Sequence, residues 1–172
     1  MYKLGILCLI MGALILFSCT NHQSGIQAHI KELEEEIGQK IFTPELDKDK
    51  IYLIRELYTE YVKRYPKDTL SPIYSFRLAQ SFAHSKDYSK AIEQLDEIQS
   101  KYAKTKVAPK ALFFKAFLYW EKVNKKKLAA ETFALFLKLH PDHHLASDAK
   151  TSISLIKNES NMEEIIREKE TS

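Results

Sequence analysis

His140-Pro141-Asp142-His143-His144 places three imidazoles and a carboxylate within five residues, the densest set of histidines in this 172-residue chain. Such side chains hold zinc when they converge tetrahedrally on one point. Ligands adjacent in sequence converge poorly, and the flanking residues supply no hydrogen-bonding partners to orient the rings, so the stretch reads as a solvated turn. A metal-binding protein or enzyme built on His140 to His144 is the alternative. Other catalytic patterns are missing: there is no His-Glu-x-x-His pair and no Gly-x-Ser-x-Gly elbow, and nothing points to a dispersed Ser, His and Asp triad. Of the four glycines, only Gly25 and Gly38 lie beyond residue 18, too scattered for a phosphate-cradling loop. The expectation is a protein that is not an enzyme, with no catalytic residue, no metal and no cofactor.

Lys122, Lys125, Lys126 and Lys127 form the one basic concentration, in a chain whose net charge is only +3. Nucleic-acid binding requires a concentrated basic face, which this balance does not suggest. Lysines close to a membrane attract anionic lipid by about 1 kcal/mol each. Such runs are more often solvated turns, and the run is read so here.

The strongest local signal lies at the amino terminus. Lys3 precedes an apolar run from Leu4 to Phe17, shorter than the ~20 residues that span a bilayer. It ends in Leu16-Phe17-Ser18-Cys19, which resembles the cleavage box of bacterial lipoproteins except at Phe17. That resemblance implies removal of residues 1–18 as a signal peptide and acylation of Cys19, which would fix the protein to a bacterial envelope membrane. The periplasmic face of the outer membrane is the expected location. The two cysteines are Cys8, inside the leader, and Cys19, so the body beyond has no thiol for a disulfide, a zinc site or a nucleophile.

The remainder reads as all-α. Thr20 to Gly25 is polar and expected to be a tether. Ile26, Ile30, Leu33 and Ile37 then share one helical face, too briefly for a coiled coil, which predicts a helix packed onto the domain. Thr43-Pro44 and Ser71-Pro72 carry a capping oxygen before proline, Pro109 opens a helix similarly, and Ser160 with Glu163 fits a capping box. The predicted helices are near 26–38, 45–64, 71–85, 88–102, 108–123, 125–139, 145–157 and 161–169, with no strand. The expected organisation is a signal peptide (1–18), lipidated cysteine and tether (19–25), N-terminal helix and connection (26–44), repeat domain (45–157), and C-terminal helix and tail (158–172).

Tyr58-x-x-Tyr61-x-x-x-Tyr65-Pro66 matches Leu95-x-x-Ile98-x-x-x-Tyr102-Ala103, and, with one residue of slack, Phe133-x-x-Phe136-x-x-Leu139-His140-Pro141. Ser71-Pro72 with Phe76 and Ala79 matches Ala108-Pro109 with Phe113 and Ala116, and Ala91 and Ala129 recur where antiparallel helices cross. These residues resemble the tetratricopeptide repeat, although the period exceeds the usual ~34 residues and Ala103 stands where proline is expected. The longer repeat with its Tyr-Pro ending resembles the outer-membrane β-barrel-assembly lipoproteins and periplasmic repeat proteins that coordinate envelope constriction. The resemblance implies a short right-handed solenoid after an N-terminal signal helix. It also implies a periplasmic scaffold, with accessory service in outer-membrane protein assembly as a narrower alternative.

Partners would be envelope proteins or peptide segments. They would meet a groove lined by Phe76, Gln80 and His84 of one repeat and Phe113, Phe117 and Trp120 of the next. Alternatively, Met162, Ile165 and Ile166 fold back over that stripe.

Overall fold

A computed structural model of the chain describes residues 22–38 and 48–170, the last eight of these by backbone alone. The leader, Cys19 and the Thr43-Pro44 cap lie outside the described residues. Among those described, the chain is all-helical, with seven helices and no strand. They fall into two compact units, one ending at Ser71 and the other beginning at Pro72.

In the first unit, helix α1 (22–38) lies antiparallel to α2 (Lys48–Arg64). The stripe read from the sequence faces inward, for Ile26, Ile30 and Leu33 are buried, as are Ile54, Leu57, Tyr58 and Tyr61 of α2. Polar pairs fix the register along this seam. Gln23 and Gln27 donate to the Tyr61 hydroxyl at 2.9 and 2.5 Å, Tyr58 donates to Glu34 at 2.6 Å, and Lys50 pairs with Glu36. The Tyr61 hydroxyl in turn donates to Asp68 at 2.9 Å, which also accepts from Gln23. Burial, chiefly, raises the Tyr61 pKa. The expected tether is therefore corrected at its end: residues 22–25 form the first turn of α1, because Gln23 is bonded to Tyr61 and Asp68.

The second unit holds α3 (Ser71–His84) beyond its first residue, α4 (Tyr88–Lys101), α5 (Ala108–Glu121), α6 (Lys126–Leu139) and α7 (Ala146–Glu170). Helices α3 to α6 are each 14 residues long. Two buried clusters fill their interfaces. One joins Ala79, Ala91, Leu95, Ile98 and Leu118, and the other Leu112, Ala116, Ala129, Phe133, Phe136 and Ile156. Ala79, Ala91, Ala116 and Ala129 are fully buried.

The turns repeat as the helices do. Tyr65, Tyr102 and His140 each donate their amide to the carbonyl four residues back, at 2.8–2.9 Å. Asp68, Thr105 and His143 then donate to those same three residues, and Ser71, Ala108 and Ala146 donate three residues back again. The shorter turns also correspond, with Lys86 at φ 62° after α3 and Asn124 at φ 52° after α5. Pro109 stands in the first turn of α5, where its missing N–H leaves no helical bond unmade.

One expected boundary is absent. The helices near 145–157 and 161–169 are a single 25-residue helix, α7. The Ser160 hydroxyl donates to the Ile156 carbonyl four residues back at 2.9 Å, a bond of helix interiors, so Ser160 does not cap a new helix.

Candidate functional site

Helix α5 is apolar almost all round, with only Lys110, Lys115 and Glu121 charged, so its faces must be shared between core and surface. Leu112, Ala116 and Leu118 are buried, while Phe113, Phe114, Phe117 and Trp120 keep partial exposure. The residues expected to line one groove have different settings. Phe113 is set edge-on against Phe133 and Phe136 of α6, with ring centroids 5.2 and 5.6 Å apart. Phe117 stacks on Phe114 at 6.4 Å, with the Lys122 ammonium 6.0 Å from its ring. Phe76 of α3 meets Phe114 edge-on at 5.9 Å. Phe76, Phe114 and Phe117 thus form a continuous half-buried aromatic row, and Gln80 and His84 on α3 are exposed.

Phe114 was not among the residues singled out from the sequence, although it links the two helices. Its neighbours in an almost uniformly apolar helix gave no periodic signal to separate it from core positions.

At the other end of α5, the Trp120 indole donates to Glu159 of α7 at 3.2 Å, and Lys126 pairs with the same carboxylate at 3.2 Å. The hydrogen bond from Trp120, then that from Lys126, hold the Glu159 carboxyl below the usual carboxylate range. Ile156 of α7 joins the cluster against which Phe113, Phe117 and Trp120 pack. Met162, weighed as a cover for the aromatic stripe, is 64% exposed. The side chains of Ile165 and Ile166 lie outside the described residues.

The histidine turn is held by ring contacts and one backbone hydrogen bond. Among the described residues no group of three or more His, Cys, Asp or Glu side chains is placed to hold a metal ion. His143 lies edge-on to Phe136 at 5.6 Å and 4.1 Å from the ring of His144. Its Nδ1 accepts the Leu145 amide at 3.3 Å, as Asp68 Oδ1 accepts the Leu70 amide at 2.8 Å in the corresponding turn. Burial first, then the charges of His144, His140 and Lys110, hold the His143 pKa below its ordinary 6.5.

Acceptance at Nδ1 requires that nitrogen to be unprotonated, so this stabilisation is present above the unfolded value and is lost as pH falls through the lower folded one. Replacing His143 with Asn keeps an acceptor that does not titrate. Between neutral pH and pH ~5, the wild type is expected to lose about 0.5–1.5 kcal/mol more than His143→Asn in urea melts, the net worth of one hydrogen bond. Parallel stability profiles across that range would remove the histidine from the pH response.

The whole chain matches no family model and no curated protein. No described helix is long and apolar enough to cross a membrane. The all-helical class therefore stands on the structure itself.

Proposed function

We propose that this protein is a lipid-anchored scaffold of a bacterial envelope, facing the periplasm and binding other proteins through tetratricopeptide-like helix pairs. The observation that carries the reading is the recurrence of one hydrogen-bonded turn at residues 65–71, 102–108 and 140–146, between helices whose crossing positions hold buried alanines. Repeats of this kind stack into a short solenoid and present the first helix of each pair to a partner. In α3 and α5 that helix bears the aromatic row, with Gln80 and His84 exposed on α3. Half-buried aromatics beside polar groups are the usual anchors of a protein interface. The reading assigns no chemistry to the chain and needs no cofactor.

The anchor rests on Leu16-Phe17-Ser18-Cys19, and the groove on α3 and α5, so the test has two arms. Mass spectrometry of membrane-extracted protein should find acylated Cys19 as the first residue, and Cys19→Ala should abolish lipidation. A mature, unmodified amino terminus elsewhere would end the lipoprotein reading. A photocrosslinker at exposed Gln80 should capture a specific envelope partner, where one at exposed Glu93 on α4 does not. Phe117→Ser should weaken that capture while helical content and cooperative unfolding persist. Full retention of capture would remove the groove, and joint loss of folding and capture would assign Phe117 to the core.

A further inference from the structure

The turns within the two helix pairs assemble a second feature, distinct from the aromatic row. Lys86 after α3, and Lys122 and Lys125 after α5, flank a cleft of about 470 Å³ whose lining includes the hydroxyl-bearing Tyr88, Ser89 and Tyr119. The three lysines are exposed and form no ion pair among the described residues. Asp87, the one carboxylate of the lining, is already engaged. It pairs with the Lys90 ammonium at 3.0 Å, and its Oδ1 accepts the Lys90 amide at 3.3 Å. The cleft therefore carries uncompensated positive charge on both sides.

The kind of donor indicates the kind of ligand. The fork of arginine suits carboxylate and phosphate alike, and no arginine lines this cleft, so its cationic donors are the point-charge ammonium groups by which lysine also binds phosphate. Compact ammonium groups with hydroxyl donors suit a phosphate, whose several oxygens accept from different directions. Tyr88 and Ser89 open a 14-residue helix, so their amides have no intrahelical partner and lie at its positive end. We propose that the cleft is a binding site for a phosphate group, with Lys86, Lys122 and Lys125 neutralising its charge and the hydroxyls of Tyr88, Ser89 and Tyr119 completing its hydrogen bonds. Such a group is supplied by a lipid headgroup or by a soluble phosphoester. The site does not depend on Cys19 acylation, and it touches the aromatic row only through Lys122, whose ammonium also lies 6.0 Å from the Phe117 ring.

Lys86 makes a clean test possible. At φ 62° a glycine has no Cβ to strain the backbone, so Lys86→Gly removes the charge while the relieved strain offsets glycine's greater loss of chain entropy, and it should hold or raise the melting midpoint. The full-length protein in neutral detergent is titrated with inorganic phosphate, with glycerol phosphate, and with short-chain phosphatidic acid against phosphatidylcholine, while the Tyr88 and Ser89 amide resonances are followed. Phosphate should give a saturable response. Lys86→Gly, and separately the double variant Lys122→Gln with Lys125→Gln, should each weaken it by about tenfold.

A double variant at the exposed Lys104 and Lys106, in the turn between α4 and α5, should respond as wild type does. Tighter binding of phosphatidic acid than of glycerol phosphate would assign the lipid source, and equal binding the soluble one. Absence of a saturable response to every phosphate compound, or equal weakening in the Lys104 and Lys106 variant, would overturn the site.

Discussion

Phe133→Ala is expected to destabilise the protein by about 3–5 kcal/mol, the usual cost of removing a fully enclosed aromatic ring. Phe133 has no exposed surface, lies in the cluster with Leu112, Ala116, Phe136 and Ile156, and takes the edge of Phe113 at 5.2 Å. Three helices supply its neighbours, so local relaxation cannot refill the space from α6 alone. The contrast lies two residues on, where Leu135 is 45% exposed and Leu135→Ala should change stability by roughly 0.5 kcal/mol or less. Urea denaturation of both variants checks the pair. Similar midpoints would mean that α6 does not present Phe133 to the interior, and the alignment of Leu95 with Phe133 would lose its structural basis. Since a domain's whole stability is only about 5–15 kcal/mol, the Phe133 variant is also the one expected to lose the cooperative transition at moderate temperature.

How much was legible in the sequence depended on the range of the interactions involved. The helix pairs were legible because their signals are local and recur: a burial pattern at Leu95 and Ile98 reappears at Phe133 and Phe136, and all four are fully buried. The start of α1 was not, because Gln23 is held by Tyr61 and Asp68, 38 and 45 residues away, and local polarity alone resembles a tether. Ser160 with Glu163 fits a capping box and also fits a helix interior. The backbone acceptor at Ile156 decides for the interior.

The histidine turn reads from its sequence as a solvated turn, because residue type is visible there and hydrogen-bond direction is not. The structure makes His143 a backbone acceptor, as Asp68 is in the corresponding turn. The basic cleft was missed for a similar reason. Lys122 and Lys125 stood out as a run, but Lys86 belongs to another turn, and its relation to them is set by the packing of α4 against α5.

Ala91→Leu and Ala129→Leu should each cost about 1–3 kcal/mol by overpacking, and together they test whether the two helix pairs are built alike. Both alanines are fully buried, and each donates its amide to the residue just before its helix or at its cap, Asp87 and Lys125 respectively, at 3.0 Å. They therefore occupy the same position in the first turn of α4 and α6, where each is enclosed within a buried cluster. Ala134, on the exposed face of α6, is the control, and Ala134→Leu should leave the midpoint nearly unchanged.

The two crossings lie in separate clusters, one with Ala79 and Leu118 and the other with Ala116 and Phe136, so the double variant should show the sum of the single effects within about 0.5 kcal/mol. A repeat in which each pair carries its own crossing demands that additivity. Strong coupling between the two substitutions would mean that one continuous core serves both pairs, and unchanged midpoints in both single variants would show that neither position is a close crossing.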